Sequence, residues 1–375
     1  YDESVRQWKE GEDESINANC KPPSNDGDTN LSILTWNVLS DIYSGIDTDE
    51  NGTGGHHSRW SLLAEAINGQ SPDIVALQEA TPDFAEQLLS IDWIRKEYAS
   101  SIAPCDNSAV DPLGQILLYK RSSVLAGELY ACIDGGRWRA LSATFRCETD
   151  LVICANVHLP ADKPAIHAGE KISRQHARRR ELSAIVGHMQ REETQLRRDA
   201  SQRVDGHIIL GDFNCGALEL EDGVFAGGGY FKDVWCDVRG TAGEDSGFTF
   251  DPKTNPRSAK SSTLVAGSVS ARRIDRTYLN TSSSLEPISS EVLRGVSESV
   301  ALPPSDHYGV LARFASGRTQ ARNGPSSTGV ALYDQSKYNA WAAITPPSKD
   351  YMVAIILDSA EMERIKSVYD PDSTL

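Results

Sequence analysis

The chain has no apolar run that approaches the roughly 20 residues of a membrane-spanning helix. It has no CxxC pair. Its seven cysteines, at 20, 105, 132, 147, 154, 215 and 236, are scattered, and their number is odd. Reduced, mostly buried thiols fit that pattern, and with them an intracellular compartment rather than a secreted one. The opening stretch, YDESVRQWKEGEDESINANC, holds neither a methionine nor a signal-peptide pattern and reads as the start of a fragment or a processed form. Positive charge is also short: 37 Lys and Arg stand against 53 Asp and Glu, for a formal net charge of −16. That balance counts against broad, non-specific binding to a phosphate backbone but leaves room for a local basic groove.

Two stretches do lean basic. The first, Lys171 to Arg203, contains RQHARRRE and reads as a solvated helix face. The second, DPKTNPRSAKSSTLVAGSVSARRIDR at 251–276, carries six Lys/Arg against two Asp. Its Arg257, Lys260 and Arg276 are the candidates for contacting a substrate backbone.

At 375 residues the chain can bury a large core. Residues 1–30 are polar and acidic and read as an arm, with a short helix around Val5 and Trp8. From Leu31 the texture changes. LSILTWNV and PDIVALQE read as strands, as do GQILLYKR, LSATFRC, LVICANVHL, HIILGDFN, RIDRTYLN and GVLARFA. SRWSLLAEAIN places Trp60, Leu63 and Ile67 at helical spacing, and a long helix is expected over 170–200. Mixed strands and helices over residues 31–315 imply an α/β sandwich with sheets inside and helices outside. Residues 316–329 are rich in Gly, Ser and Pro and read as a linker. A new apolar pattern occupies 330–375.

The strand ends carry the chemistry. In IILGDFNC, Asp212 and Asn214 close an apolar run, two residues apart, so both leave one face of an extended chain. Neither residue type favours strands, and alone the pair would read equally well as a turn. It is not alone. ILTWNV ends at Asn37, DIVALQE at Glu79 and CANVHL at His158 plus one leucine. RIDRTYL carries Asp275, and PPSDHYGVLARF puts Asp306 and His307 just before the last strand. Each has an ordinary structural reading: a strand cap for Asn37, a buried ion pair for Glu79, a core histidine for His158, a salt bridge to Arg273 or Arg276 for Asp275. Six coinciding strand ends make a site. The other histidines, at 56, 57, 167, 176, 188 and 207, match no motif and read as surface or loop residues.

The order WN, QE, HL, GDFN, ID and SDH, across residues 31–315, resembles the endonuclease/exonuclease/phosphatase superfamily with its deoxyribonuclease-I-like fold. The resemblance implies a four-layered α/β sandwich and phosphoester hydrolysis assisted by Mg²⁺ or Mn²⁺. It implies Glu79 as principal metal ligand with Asn37 beside it, and Asp306 as support for the metal or for a second one. Asp212 would orient or deprotonate the attacking water, and Asn214 would donate hydrogen bonds near that water. His307, held by Asp275, would contact the phosphate. His158 would contact phosphate or assist the leaving oxygen.

Two branches are closest. TWN, PDIVALQEATPDF, DVW, FTFDPKTNP and RRIDR resemble the 5′-tyrosyl-DNA phosphodiesterases. Phe213 and Tyr308 depart from that branch, which usually has another residue and a Trp there. LSILTWNVLSDIY and CANVHL are similar to the deadenylase and Angel-type RNA-end branch. Nucleic-acid end processing is therefore the expected activity, with no membrane involved, and DNA and RNA ends are both candidates. A deadenylase-type 3′ exoribonuclease and an RNA 2′,3′-cyclic phosphatase are the alternatives. The tail, AWAAITPPSKDYMVAIILDSAEMERIKSVYDPDSTL, resembles the opening of a two-histidine phosphodiesterase domain, but no histidine follows His307. A plain helix packing on the main domain is an equal reading of it. The rival from another class is a non-catalytic binding module of the same fold. Degenerate members of that kind lose the Glu, an Asp or the final His, and Glu79, Asp212 and His307 are all present.

Overall fold

Successive side chains on a strand leave opposite faces. A strand covered on both faces is therefore apolar along most of its length, and a polar residue within it stands out. The computed structural model describes residues 30–41, 56–102, 110–122, 124–132, 140–147, 150–161, 168–200, 204–216, 230–240, 247–265, 270–295 and 302–316. All of these fall in the first of the chain's two units, Tyr1–Asn323. The arm before Asn30, the linker beyond Ser316 and the segment 330–375 lie outside the described residues.

The strands are β1 (Asn30–Asn37), β2 (Ile74–Ala80), β3 (Tyr98–Ser100), β4 (Gly114–Lys120), β5 (Val124–Cys132), β6 (Ala140–Cys147), β7 (Asp150–His158), β8 (Gly206–Asp212), β9 (Phe231–Asp233), β10 (Asp275–Asn280), β11 (Leu285–Leu293) and β12 (Gly309–Ser316). The helices are α1 (His56–Gln70), α2 (Pro82–Ser90), α3 (Asp92–Glu97), α4 (Ala168–Ala200), α5 (Val234–Arg239) and α6 (Pro256–Val265). They build two six-stranded mixed sheets, ordered β11-β12-β1-β2-β4-β3 and β5-β6-β7-β8-β10-β9. The long helix expected over 170–200 is α4. Among the described residues no helix is long and apolar enough to cross a membrane.

Three apolar layers hold the sheets. Leu34, Trp36, Val75 and Leu77 face the helices α1 and α2, meeting Trp60, Leu63 and Phe84. Ile33, Ile74 and Ala76 face the other way and meet Val152, Cys154, Ile208 and Leu210 of the second sheet. The outer face of that sheet, with Ile153, Val157 and Ile209, packs on Leu182, Ile185 and Met189 of α4. Helices, sheet, sheet and helix give the four-layered α/β sandwich.

The layer between the sheets explains the site. Along β1 the inward row runs Ile33, Thr35, Asn37; along β7 it runs Val152, Cys154, Asn156, His158; along β8, Ile208, Leu210, Asp212. Each row starts apolar and turns polar toward one shared edge. Just inside that edge Gln78 crosses from the first sheet. Its amide nitrogen donates to Asn156 Oδ1 at 2.7 Å and to Thr35 Oγ1 at 2.9 Å. Asn156 returns its own amide to the carbonyls of Leu77 and Ile116. This buried bridge ties the strands of Glu79 and His158 together. Asn156→Leu would remove the Gln78–Asn156 bond and both bonds from the Asn156 amide, while Gln78 keeps Thr35 and the Ala76 carbonyl. At about 1 kcal/mol net for each hydrogen bond lost, a loss of about 3 kcal/mol is expected in urea denaturation. An unchanged midpoint would show the bridge to be dispensable.

Candidate active site

Register brings the groups together. His158 pairs with Asp212 across β7 and β8, and Asp212 pairs with Asp275 across β8 and β10. Gly211 makes the first pairing possible. Its φ is +139°, and a Cβ there would lie 2.0 Å from the Val157 carbonyl oxygen, so only glycine lets β8 approach this closely before Asp212.

Glu79 reaches the site by a local break. It sits in a β-bulge between Gln78 and Ala80, where β2 loses register with β4. Its φ is +59°, a conformation a non-glycine residue adopts at a cost on the order of 1 kcal/mol or more. The bulge re-aims a side chain that simple alternation would send toward the helices. Asn214, with φ +54°, is held in the same region.

The polar geometry is tight. Asn37 donates its amide to Glu79 Oε1 at 3.1 Å and to Asp212 Oδ2 at 3.0 Å. Its own Oδ1 accepts from the Leu39 N–H, and the Ser40 N–H donates to Glu79 Oε2. His158 Nε2 stands 3.7 Å from Glu79 and 3.8 Å from Asp212. His307 Nε2 is 3.9 Å from the same Asp212 oxygen. His307 Nδ1 is 2.8 Å from Asp275 Oδ2. The backbone N–H of Asn214 donates to Asp212 Oδ1, while its amide donates to the Leu159 carbonyl. Five of the predicted side chains, with Asp275 behind them, thus face one point.

Asp306 is buried next to the site, but it takes the Ser261 hydroxyl at 2.6 Å. Its neighbour Ser305, part of the SDH motif but not among the expected site residues, donates to the Asn37 carbonyl and accepts from the His307 N–H. Thr249 was not among them either; its hydroxyl accepts the N–H groups of Ile274 and Asp275. Both belong to quoted motifs, SDH and FTF. Arg59 of α1 had no motif at all. It is buried and donates to the carbonyls of Val38, Leu39 and Pro304, tying the β1 end to the loop that carries His307.

Electrostatics follow from this crowding. Burial pushes the Asp212 carboxyl up to about 6, with the Asp275 carboxylate adding to the rise and both histidines opposing it. Burial works against a charged His307, but Asp275, Asp212 and Asp306 outweigh it and hold the imidazole well above its ordinary value. Burial would also raise Glu79, yet His158, the Ser40 N–H and the Asn37 amide bring it below the usual carboxylate range.

Three expectations need correction. Arg257 is buried, and its Nε donates to the Pro303 carbonyl at 2.8 Å, so it braces the loop before Ser305 and does not face substrate. Arg276 is buried as well. One residue from Asp275 on a strand, it leaves the opposite face, and with Arg273 it pairs with Asp233 at 2.9 and 2.6 Å. The two arginines that flank Asp275 thus belong to Asp233, which leaves Asp275 for His307. His207 is neither surface nor loop: it is buried in β8, with Nε2 3.2 Å from Glu193 and Nδ1 3.1 Å from the Tyr230 hydroxyl. Lys260 is exposed on α6.

The donor set fits a small divalent cation. Four carboxylates are gathered beside one strongly basic imidazole, and the buried Asp275 Oδ1 has no hydrogen-bond partner. Buried negative charge of this kind calls for a counter-cation. Oxygen donors of this kind suit a hard divalent cation. Asp212, Asp275 and His307 have side-chain atoms within 4.8 Å of one another, but a protonated His307 has no lone pair to offer, so the carboxylates are the donors.

The Endonuclease/Exonuclease/phosphatase family matches the chain over residues 34–307, and the chain belongs to that family. Its fold is similar to a humanized form of D. rerio TDP2, at 19% identity and a TM-score of 0.53, over 76% of this chain and 99% of that one. D. rerio TDP2 complexed with a single-strand DNA product is similar at 20% identity and 0.53, over 76% and 98%. The human Nocturnin catalytic domain, with a bound sulfate, matches at 16% identity and 0.51, over 76% and 93%. No curated protein sequence matches the chain.

Proposed function

We propose that the chain hydrolyses phosphodiester links at nucleic-acid ends with the help of Mg²⁺ or Mn²⁺. The observation that carries this reading is the convergence of Asn37, Glu79, His158, Asp212 and His307 on one point, with Asp275 behind His307. Glu79 would hold the cation, and Asn37 would keep Glu79 and Asp212 in place around it. A cation there would neutralise charge on the phosphate oxygens and orient the ester.

The residues account for the rest. Asp212 has a raised pKa, so it can take a proton from water near neutral pH. Both imidazoles come within 4 Å of its Oδ2, so a phosphate beside Asp212 would meet them too. His307, kept protonated by Asp275, offers a fixed positive N–H to the charge that develops on phosphate oxygen. His158 faces Glu79 and Asp212 and is the group placed to meet the phosphate or the departing oxygen. The likeness to a TDP2 complexed with single-strand DNA product favours a nucleic acid over a soluble phosphoester.

A panel of end-labelled substrates tests the reading: 5′-tyrosyl DNA, 3′-phosphate and 2′,3′-cyclic-phosphate RNA, poly(A) and abasic DNA, each with Mg²⁺ and with chelator. Cleavage of at least one with Mg²⁺ alone is expected. Silence toward all of them, with Mg²⁺ and Mn²⁺ alike, would favour the binding module.

A further inference from the structure

With Arg257 and Arg276 committed to protein contacts, other cations must meet the rest of a substrate strand. Arg272 and Arg294 are both exposed. Each guanidinium lies over an aromatic ring: Phe250, which touches His307, or Tyr308, which follows it in the chain. Arg272 is 5.1 Å from the centre of Phe250, and Phe250 meets the His307 ring edge-on at 5.3 Å. Arg294 is 5.4 Å from the centre of Tyr308, the residue after His307, whose hydroxyl pairs with Thr254. Among the described residues neither arginine has a carboxylate partner, in a chain of net charge −16.

A guanidinium resting on a ring is held by cation–π attraction while its in-plane N–H groups stay free. Those donors match phosphate oxygens two at a time. A third feature lies close by in the sequence. Phe248, two residues before Phe250, is 37% exposed and is one of two large apolar side chains left open among the described residues, the other being Ile288. Cations that track a backbone, interleaved with an open aromatic face, are the pattern that binds single strands.

We propose that Arg272 and Arg294 bind backbone phosphates of the single nucleic-acid strand that leads up to the scissile end, with Phe248 stacking on a base. The proposal rests on the phosphodiesterase reading of the site and names the substrate contacts that the site itself lacks. Neither arginine touches the reacting atoms, so both act through strand binding.

Fluorescence anisotropy of a labelled single strand of roughly a dozen nucleotides tests this on the full chain, with chelator present so that no turnover is needed. Arg272→Glu and Arg294→Glu should each weaken Kd about tenfold at low salt. Each should also flatten the slope of log Kd against log salt by about 0.7. Phe248→Ala should weaken Kd with the slope unchanged. Variants with the wild-type Tm but the wild-type Kd and slope would overturn the proposal, as would a wild-type chain that does not bind the strand. Hydrolysis of bis(4-nitrophenyl) phosphate by the wild-type protein separates the two readings. Ester cleavage without strand binding sinks this proposal and leaves the phosphodiesterase. Arginine-dependent binding without any hydrolysis does the reverse.

Discussion

Glu79→Gln should abolish cation-dependent turnover and leave the fold intact. Glu79 is the carboxylate that β2 gives up a regular residue to deliver, through its bulge and its positive φ. Both of its oxygens are already oriented, one by Asn37 and one by the Ser40 N–H. Glutamine keeps the shape and can keep one of those bonds, so Tm should move little. It removes the charge that would hold the cation. Loss of a principal metal ligand costs on the order of several kcal/mol of transition-state stabilisation, or at least about a thousandfold in rate. Steady-state rates at limiting Mg²⁺, set beside a thermal melt, check this. A near-wild-type rate would take the metal role away from Glu79.

Asp275→Asn and His307→Ala should each cut kcat steeply, and the double variant should be scarcely worse than the worse single. The 2.8 Å contact between the two side chains makes them one unit, and groups that act as a unit are non-additive. The effect should fall on kcat, because the charge they stabilise develops in the transition state. A pH profile adds a second readout. Three carboxylates raise the His307 pKa, Asp275 first among them. Activity that needs the protonated ring is present below that pKa and lost as pH rises through it. Asp275→Asn should therefore move the alkaline limb of kcat to lower pH. A purely structural pair predicts a lower Tm with full turnover per folded molecule and an unmoved alkaline limb.

How far the sequence reached depended on which physical rule each residue obeys. The site was legible because an inward row that turns from Ile208 and Leu210 to Asp212 breaks the demand for apolar side chains in a buried layer, and the chain repeats that break at several strand ends. Arg276 could have been placed correctly from sequence: Asp275 points inward, so its neighbour on the strand must point out. Arg257 could not. Its burial depends on α6 packing against the loop at Pro303, a contact between distant segments. His207 was misread for the same reason, since only α4 and Tyr230 supply its partners. The bridge from Gln78 to Asn156 was hidden because each strand shows its own alternation but not which strand of the other sheet it will face. Arg59 sat in a helix whose apolar spacing drew attention to Trp60, Leu63 and Ile67 instead.

The most direct test of the account is single-turnover hydrolysis of an end-labelled oligonucleotide from the substrate panel. Wild type and Asp212→Asn are run side by side, each with Mg²⁺ and with chelator. Asp212 is the group to which Asn37, His158 and His307 all turn. Cleavage should appear in the wild type with Mg²⁺ and in none of the other three reactions. Cleavage that persists in Asp212→Asn, or in the wild type with chelator, would contradict a hydrolytic site built around that carboxylate and a divalent cation.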